Sequence, residues 1–348
     1  MNHSELCVSH TTTIRDAMRQ LNSTAKKIIF VLNDDKLYGT LTDGDIRRFL
    51  LAGGRMDALA ADAAHLHPRT AENAEQARAL LRGEGGDLTA VPVVKADNTL
   101  VDILLGPDSA QTSPLPQLAL PVVIMAGGMG KRLDPYTRIL PKPLIPIGDL
   151  PIIEHIMQRF LRYGCTEFHI VVNYKKGLLK AYFNDSQQDY HICWYDEVQP
   201  LGTGGGLSLL KGRLDKTFFF TNCDILLRSD YAKMAEFHQT NHNAVTIVGA
   251  CKNMTIPYGV VEMGKGGVIT AFREKPELSF LTNTGLYLVE PEVLEDIPED
   301  KSQGFPDIIE GQRQKGRRTA VYPVSEEEWL DMGQMEELEK MRRRFGEG

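Results

Sequence analysis

At 348 residues, 42% of them hydrophobic, the chain carries enough apolar material for two ordinary cores. Its 46 acidic residues outnumber 39 basic ones, and the net charge of −7 excludes a general polyanion-binding surface. No apolar run approaches the roughly 20 residues of a membrane helix, and the opening MNHSELCVSHTTT lacks the charged-then-apolar plan of a signal peptide, so a cytoplasmic protein is the expectation.

Two similar units of roughly fifty residues open the chain. The first reads as a helix over 13–22, a strand over 27–32, a turn at Asn33-Asp34-Asp35, a strand over 37–41 and a helix over 43–52. The second repeats the order with a helix over 72–82, a strand over 90–95, a turn at Ala96-Asp97-Asn98 and a strand over 100–104. Within the first unit, Gly39-Thr40-Leu41-Thr42-Asp43-Gly44-Asp45-Ile46-Arg47 follows the pattern Gly-x-x-Thr-x-x-Asp-Ile-Arg. The pair resembles tandem CBS domains, an α+β module covering 1–110. That resemblance implies an adenosine or guanosine nucleotide, with Asp45 on ribose hydroxyls and Thr42 on phosphate. Taken alone, Thr42 and Asp45 read equally well as caps of the following helix. The second unit runs from Leu105 into Gly106-Pro107-Asp108 without either residue, so at most one such ligand site per chain is expected.

Between 106 and 121 the composition changes: four prolines and no period mark a linker at 111–120, ahead of a second domain at 121–348. There a strand at Val122–Met125, a helix over 151–163, a strand at Glu167–Val172, a helix over 178–183, and strands over 191–195 and 217–222 follow in turn. Such alternation predicts a mostly parallel, Rossmann-like α/β sheet with helices on both faces and ligand over the carboxyl ends of its strands.

The first of these strands runs into Gly127, Gly128 and Gly130, whose unhindered N–H groups suit a phosphate, with Lys131, Arg132 and Lys142 supplying charge. A Walker A loop is excluded, because Met125 stands where its first glycine belongs and Arg132 where Ser or Thr belongs. A dinucleotide fingerprint is excluded by Leu133. What remains, Gly127-Gly128-Met129-Gly130-Lys131-Arg132-Leu133-Asp134-Pro135-Tyr136-Thr137 followed by Pro141-Lys142-Pro143-Leu144-Ile145-Pro146-Ile147, resembles the GGxGxRLxPxT and PKPLxPI segments of the sugar-1-phosphate nucleotidylyltransferases. Tyr136 departs from the family's more usual Leu. The resemblance implies nucleotide binding by Ala126, Gly127, Gly128, Gly130, Lys131 and Arg132, with Arg132 and Lys142 on the triphosphate.

Six later segments match the same family in order. Asp224 ends the apolar run 217–223, where a carboxylate is costly unless a positive charge meets it. The family's metal aspartates stand at this place and at Asp331, which implies Mg²⁺ held by Asp224 and Asp331. Asp331 alone also reads as a cap for the helix that follows. Gln199-Pro200-Leu201-Gly202-Thr203-Gly204-Gly205-Gly206-Leu207 resembles PLGTxGxL and implies base and sugar contacts by Gln199, Gly202 and Thr203. Tyr258-Gly259-Val260-Val261 resembles the YGVV strand, Glu274-Lys275-Pro276 the EKP segment, and Asn283-Thr284-Gly285 the NxG strand. By implication Gly259, Glu274 and Asn283 meet the sugar and Lys275 its phosphate. Glu274 and Lys275 in isolation read as a solvated pair.

The remaining features argue for structure rather than chemistry. Met335, Leu338, Met341 and Phe345 share one side of a helix over 334–345, as core packing or a subunit seam requires. Five scattered cysteines without a CxxC suggest neither disulfides nor zinc, His65-x-His67 abuts Pro68 and reads as a turn, and the basic runs 313–318 and 342–344 read as solvated faces. Implied by resemblance, then, is a Mg²⁺-dependent enzyme joining a nucleoside triphosphate to a sugar 1-phosphate. GTP leads, with glucosamine, mannose or heptose 1-phosphate as acceptor; the CBS pair ahead of the domain is similar to glucosamine-1-phosphate guanylyltransferases of nonulosonate pathways. UTP, CTP or dTTP, phosphocholine as acceptor, and a non-catalytic nucleotide sensor stay open. A homo-oligomer is expected, and neither nucleic acid nor membrane is an expected partner.

Overall fold

The computed structural model describes residues 3–24, 27–82, 88–106, 115–184 and 189–346. It divides into two compact units: Met1–Pro114 with Cys251–Phe280, and Leu115–Ala250 with Leu281–Gly348.

In the first unit, strand β1 (Cys7–Ser9) leads to helix α1 (Ile14–Ser23), whose Ile14, Ala17, Met18 and Leu21 recur at helical spacing and are buried. Thr13 caps it by accepting the Asp16 N–H at 3.2 Å. Strands β2 (Ile28–Asn33) and β3 (Lys36–Thr42) pair antiparallel, β1 adds to β2 in parallel, and helix α2 (Asp43–Leu51) follows. The repeat reappears as α3 (Ala74–Arg82) and the antiparallel pair β4 (Ala90–Val94) and β5 (Leu100–Leu105). Asp34 and Asn98, at matching turns, both adopt left-handed backbone, with φ of 52° and 69°. Leu6, Phe30 and Leu37 share one apolar cluster with Ala90, Val94 and Ile103, so the repeats pack as one body. Residues 107–114, where the second repeat ends and the first four positions of the expected linker fall, lie outside the described residues. The later segment adds an antiparallel hairpin of Val260–Met263 and Ile269–Arg273.

The second unit holds the expected α/β sheet. Its elements are β6 (Val122–Met125), α4 (Ile152–Leu161), β7 (Glu167–Val172), α5 (Lys176–Asn184), β8 (His191–Asp196), β9 (Phe218–Asn222), β10 (Ile225–Leu227), α6 (Tyr231–Thr240), β11 (Val245–Thr255), β12 (Glu277–Val289), α7 (Phe305–Gln314), β13 (Thr319–Ser325), β14 (Trp329–Asp331) and α8 (Met335–Gly346), with the end of β11 from Cys251 and the start of β12 to Phe280 counted in the first unit. Seven strands line up as β8-β7-β6-β9-β12-β11-β13. β8, β7, β6 and β9 run parallel, whereas β12 lies antiparallel to β9.

Strand alternation explains why both faces are covered. Val122, Ile124 and Phe219 point into a cluster with Ile156 and Phe160 of α4, Met234 of α6, and Leu338 and Met341 of α8. Val123, Met125, Phe218 and Phe220 point the other way, onto Leu207, Leu210, Phe305 and Ile308. Helix α8 is thus core packing; the side chain of Phe345 lies outside the described residues.

Within the basic runs several arginines are partnered. Arg317 meets Asp296 at 2.9 Å, Arg313 meets Glu310 at 2.7 Å, and the Arg342 guanidinium stacks 4.9 Å from the Tyr136 ring. Arg342 also donates to the Tyr136 hydroxyl at 3.1 Å, which explains how this chain accommodates its departure from Leu.

Candidate functional site

The carboxyl ends of β6, β8 and β9 open on a cleft of about 410 Å³. Its floor is the loop that leaves β6. Gly130 turns in left-handed backbone (φ 65°), and a Cβ there would stand 2.7 Å from the Thr137 side chain. Among the described residues no hydrogen bond takes the N–H of Gly128, Met129 or Gly130, which leaves donors for an anion. Lys131 and Arg132 line the same cleft. Ala126 does not: it is buried, and its N–H is spent on Val171 O at 2.8 Å.

Opposite the loop, two carboxylates from distant parts of the chain come together. Asp224 follows β9; β10 then pairs antiparallel with β14, in a register that sets Ile225 beside Asp331. The Met332 N–H donates to Asp224 O at 2.9 Å and closes the junction. Lys142 is buried on the short turn between Pro141 and Pro143, and its ammonium pairs with Asp224 Oδ2. Burial, and then the neighbouring Asp224, push the Asp331 carboxyl above its ordinary pKa; the Gly333 N–H, Lys142 and Arg132 pull it back.

Two carboxylate groups, one already matched by an ammonium and the other short of positive charge, fit a hard divalent cation, with substrate phosphates completing its oxygen shell. Among the described residues no third His, Cys, Asp or Glu joins them. A pH dependence follows from the raised pKa. The folded protein holds the Asp331 proton more tightly than the unfolded chain, so stability falls as pH rises from the ordinary carboxylate range, about 3.9, through the raised value. Mg²⁺ should offset that loss, and its gain in Tm should grow with pH across this window. Thermal melting with and without Mg²⁺ checks this, and a gain that survives unchanged in Asp331→Asn would remove Asp331 from the metal pair.

Glu197, which sequence reasoning passed over, is buried in the cleft wall immediately after β8. Its Oε1 accepts the Leu201 N–H at 3.3 Å, and burial raises its pKa while that N–H lowers it. A Cβ on Gly127 would lie 2.6 Å from Oε2, and one on Gly206 would lie 2.7 Å from Oε1, so glycines make room for this carboxylate. The signal was available: like Asp224, Glu197 is an acid at the carboxyl end of a sheet strand. Gln199 is exposed and is not part of the cleft wall, whereas Gly202 and Thr203 are. The glycine run serves packing as well as access. The N–H groups of Gly204 and Gly205 both reach Gln303 O, and side chains on them would strike the backbone of 301–304.

The expected sugar-side residues divide. Asn283, in the second unit, donates to the Tyr287 hydroxyl at 2.7 Å and accepts the Gly285 N–H at 3.0 Å. Gly259 and Glu274, in the first unit, face each other, since a Cβ on Gly259 would stand 2.9 Å from Glu274 Oε2. Lys275 is exposed and held at φ 44°, a costly conformation for a side-chain-bearing residue. Thr42 and Asp45 form a reciprocal helix cap: Thr42 Oγ1 accepts the Asp45 N–H at 3.2 Å, and Asp45 Oδ2 accepts the Thr42 N–H at 2.9 Å. Arg48 pairs with the other Asp45 oxygen.

Comparison with known proteins agrees with this geometry. The nucleotidyl transferase family matches residues 121–347, and the CBS domain family matches residues 1–52. The chain belongs to the nucleotidyl transferase family. As a nucleotidyl transferase it is 31% identical, over 227 residues, to the mannose-1-phosphate guanyltransferase of Saccharomyces cerevisiae, covering 61% of each chain. It is 31% identical over 225 residues to the mannose-1-phosphate guanylyltransferase of Mycobacterium tuberculosis, covering 62% of each. The match thus spans about three fifths of these relatives' length. In fold it is similar to HddC of Yersinia pseudotuberculosis (TM-score 0.51, 23% identity, 65% of this chain and 99% of that one) and to the same protein complexed with GMP-PN (TM-score 0.51, 22% identity, the same coverage). A putative glucose-1-phosphate thymidylyltransferase of Bacillus anthracis gives a TM-score of 0.53 at 21% identity, over 65% of this chain and 95% of that one. Among the described residues no helix is long and apolar enough to cross a membrane.

Proposed function

We propose that this nucleotidyl transferase moves a guanosine monophosphoryl group from GTP to a sugar 1-phosphate and releases pyrophosphate. An oxygen of the sugar phosphate attacks the α-phosphorus, the bond to the β-phosphoryl oxygen breaks, and pyrophosphate carries away the electron pair. The attacking oxygen is already ionised, so the reaction needs alignment and cations rather than a general base.

The observation that carries the choice of GTP is Glu197. Guanine presents N1–H and N2–H₂ side by side on its Watson–Crick edge, two donors for one carboxylate. Uracil and thymine flank their single N3–H with carbonyl oxygens, and the N3 of cytosine is an acceptor, so a fixed carboxylate disfavours all three. The names of the relatives, and the GMP-PN held by HddC, support the same base.

In this reading the loop N–H groups, Lys131 and Arg132 hold the triphosphate, and Lys142 adds charge beside Asp224. Asp224 and Asp331 would hold Mg²⁺, which when bound neutralises charge developing on the phosphates. Gly202 and Thr203 bound the nucleoside; Gly259, Glu274 and Asn283 take sugar hydroxyls, and Lys275 takes the sugar phosphate. Mannose, glucosamine and heptose 1-phosphates are the leading acceptors. The N-terminal module adds regulation or assembly, with Thr42 and Asp45 as its nucleotide contacts.

Pyrophosphate release over GTP, UTP, CTP and dTTP, against a panel of sugar 1-phosphates and phosphocholine, tests the proposal. GTP with a hexose or heptose 1-phosphate is expected to give the highest kcat/KM. A faster pyrimidine triphosphate would overturn the base assignment, and silence across the grid would favour a nucleotide sensor.

A further inference from the structure

We propose that helix α1 of the N-terminal module positions the hairpin that carries Gly259, Glu274 and Lys275, so that Arg15, Arg19, Glu277 and Ser279 set the affinity for the sugar phosphate. The inference rests on the sugar-phosphate role given above to Lys275, and names what holds that residue in place.

Arg15 and Arg19 lie one turn apart on α1 and converge on a single carboxylate far along the chain. Arg19 pairs with Glu277 Oε1, and Arg15 Nη1 lies 3.8 Å from Glu277 Oε2. Arg15 Nε also donates to Ser279 Oγ at 2.5 Å, and that hydroxyl donates to Asn253 Oδ1 at 2.6 Å. The arginines therefore grip β12 at the stem of the hairpin, through Glu277 and Ser279, and the Ser279 hydroxyl carries the contact on to Asn253 of β11. Behind them Cys251 is buried in the module's own core with Val8, Ile14 and Met18. The pairing is not a bare surface contact: the side chains of Arg15 and Glu277 are only 18% and 22% exposed, which shields them from much of the screening that makes exposed pairs weak.

From this clamp to Lys275 the path is short and stiff. Only Pro276 separates Glu277 from Lys275, and its ring fixes φ. The Pro276 carbonyl accepts the Ile256 N–H at 3.0 Å, which ties it to the other side of the stem. Lys275 itself is held at φ 44°, a conformation that persists only where its surroundings impose it. The clamp is one such surrounding. Releasing it should let the backbone at Lys275 relax and the ammonium leave its place, without touching the nucleotide.

The experiment is a double-mutant cycle on the full chain with Arg19→Ala, Glu277→Gln and the pair, assayed with GTP and mannose or glucosamine 1-phosphate. Each single change is expected to raise KM for the sugar phosphate about fivefold, and the double change no further, because the two residues act as one unit. KM for GTP should stay within about twofold. Amide exchange over residues 254–279 gives a reading independent of activity: it should quicken in each single variant and no further in the pair. An unchanged sugar KM, a proportional rise in both KM values, or exchange indifferent to Arg19 would overturn the proposal. Should the unaltered protein transfer no nucleotide, the functional reading falls, and exchange alone decides whether α1 restrains the hairpin.

Discussion

Asp224→Asn is expected to lower kcat about a thousandfold with every substrate pair, which corresponds to losing about 4 kcal/mol of transition-state stabilisation. Asp224 closes an apolar strand at the point where β9 opens on the cleft, and β14 brings Asp331 alongside it. Removing one of two carboxylates halves the protein's charge toward a divalent ion and leaves Lys142 opposite a neutral amide. The shape is kept, and an amide oxygen still accepts from the Lys142 ammonium, so the fold should survive with a stability loss of about 1 to 2 kcal/mol. Steady-state pyrophosphate release and thermal melting, run in parallel, separate the two effects. Activity within tenfold of the unaltered protein would defeat the metal assignment; a collapsed melting transition would instead make Asp224 structural. Asp331→Asn should follow the same pattern with a shallower loss, because burial and Asp224 already oppose the charge on Asp331.

Glu197→Gln should change which base is used. In the proposed complex the carboxylate accepts two donors from guanine; a glutamine amide must turn one N–H toward them. Losing one charge-assisted contact and gaining one clash is worth about 1 to 3 kcal/mol, so kcat/KM for GTP should fall about tenfold to a hundredfold. The same amide offers a donor and an acceptor side by side, which suits the N3–H and O4 of uracil, and kcat/KM for UTP should rise. The pH profile supplies a second check. Because burial raises the Glu197 pKa, the ionised form is lost as pH falls through a value above the ordinary carboxylate range. KM for GTP should climb there in the unaltered protein and stay flat in Glu197→Gln. A base preference and pH profile unmoved by the substitution would return Glu197 to a purely structural role, holding the Leu201 N–H.

Much of the molecule was legible from local spacing. The alternation of Val122–Met125 with later helices foretold a sheet covered on both faces, because neighbouring residues on a strand face opposite ways. The turns at Asp34 and Asn98, helices α1 and α2, and core-facing Leu338 and Met341 follow from patterns within a few residues. So does the loop of Gly127, Gly128 and Gly130, whose freedom from Cβ atoms is a property of the sequence itself.

What the sequence determined by itself was therefore each element and the chemical type of each segment: a phosphate-ready loop, an acid after a buried strand, a glycine run, and an N-terminal repeat. Tertiary structure alone decided which of these meet. It set Asp331 beside Asp224 through the pairing of β10 with β14, chose Glu197 over Gln199 for the cleft wall, and gave Gly204 and Gly205 to the backbone at 301–304. It also joined Cys251–Phe280 to the N-terminal module, where two arginines of α1 close on Glu277. The physical reason is common to all four. Periodicity and turn chemistry act over a few residues, whereas the partner of a buried or half-buried charge is set by how distant strands pair and which way their ends point.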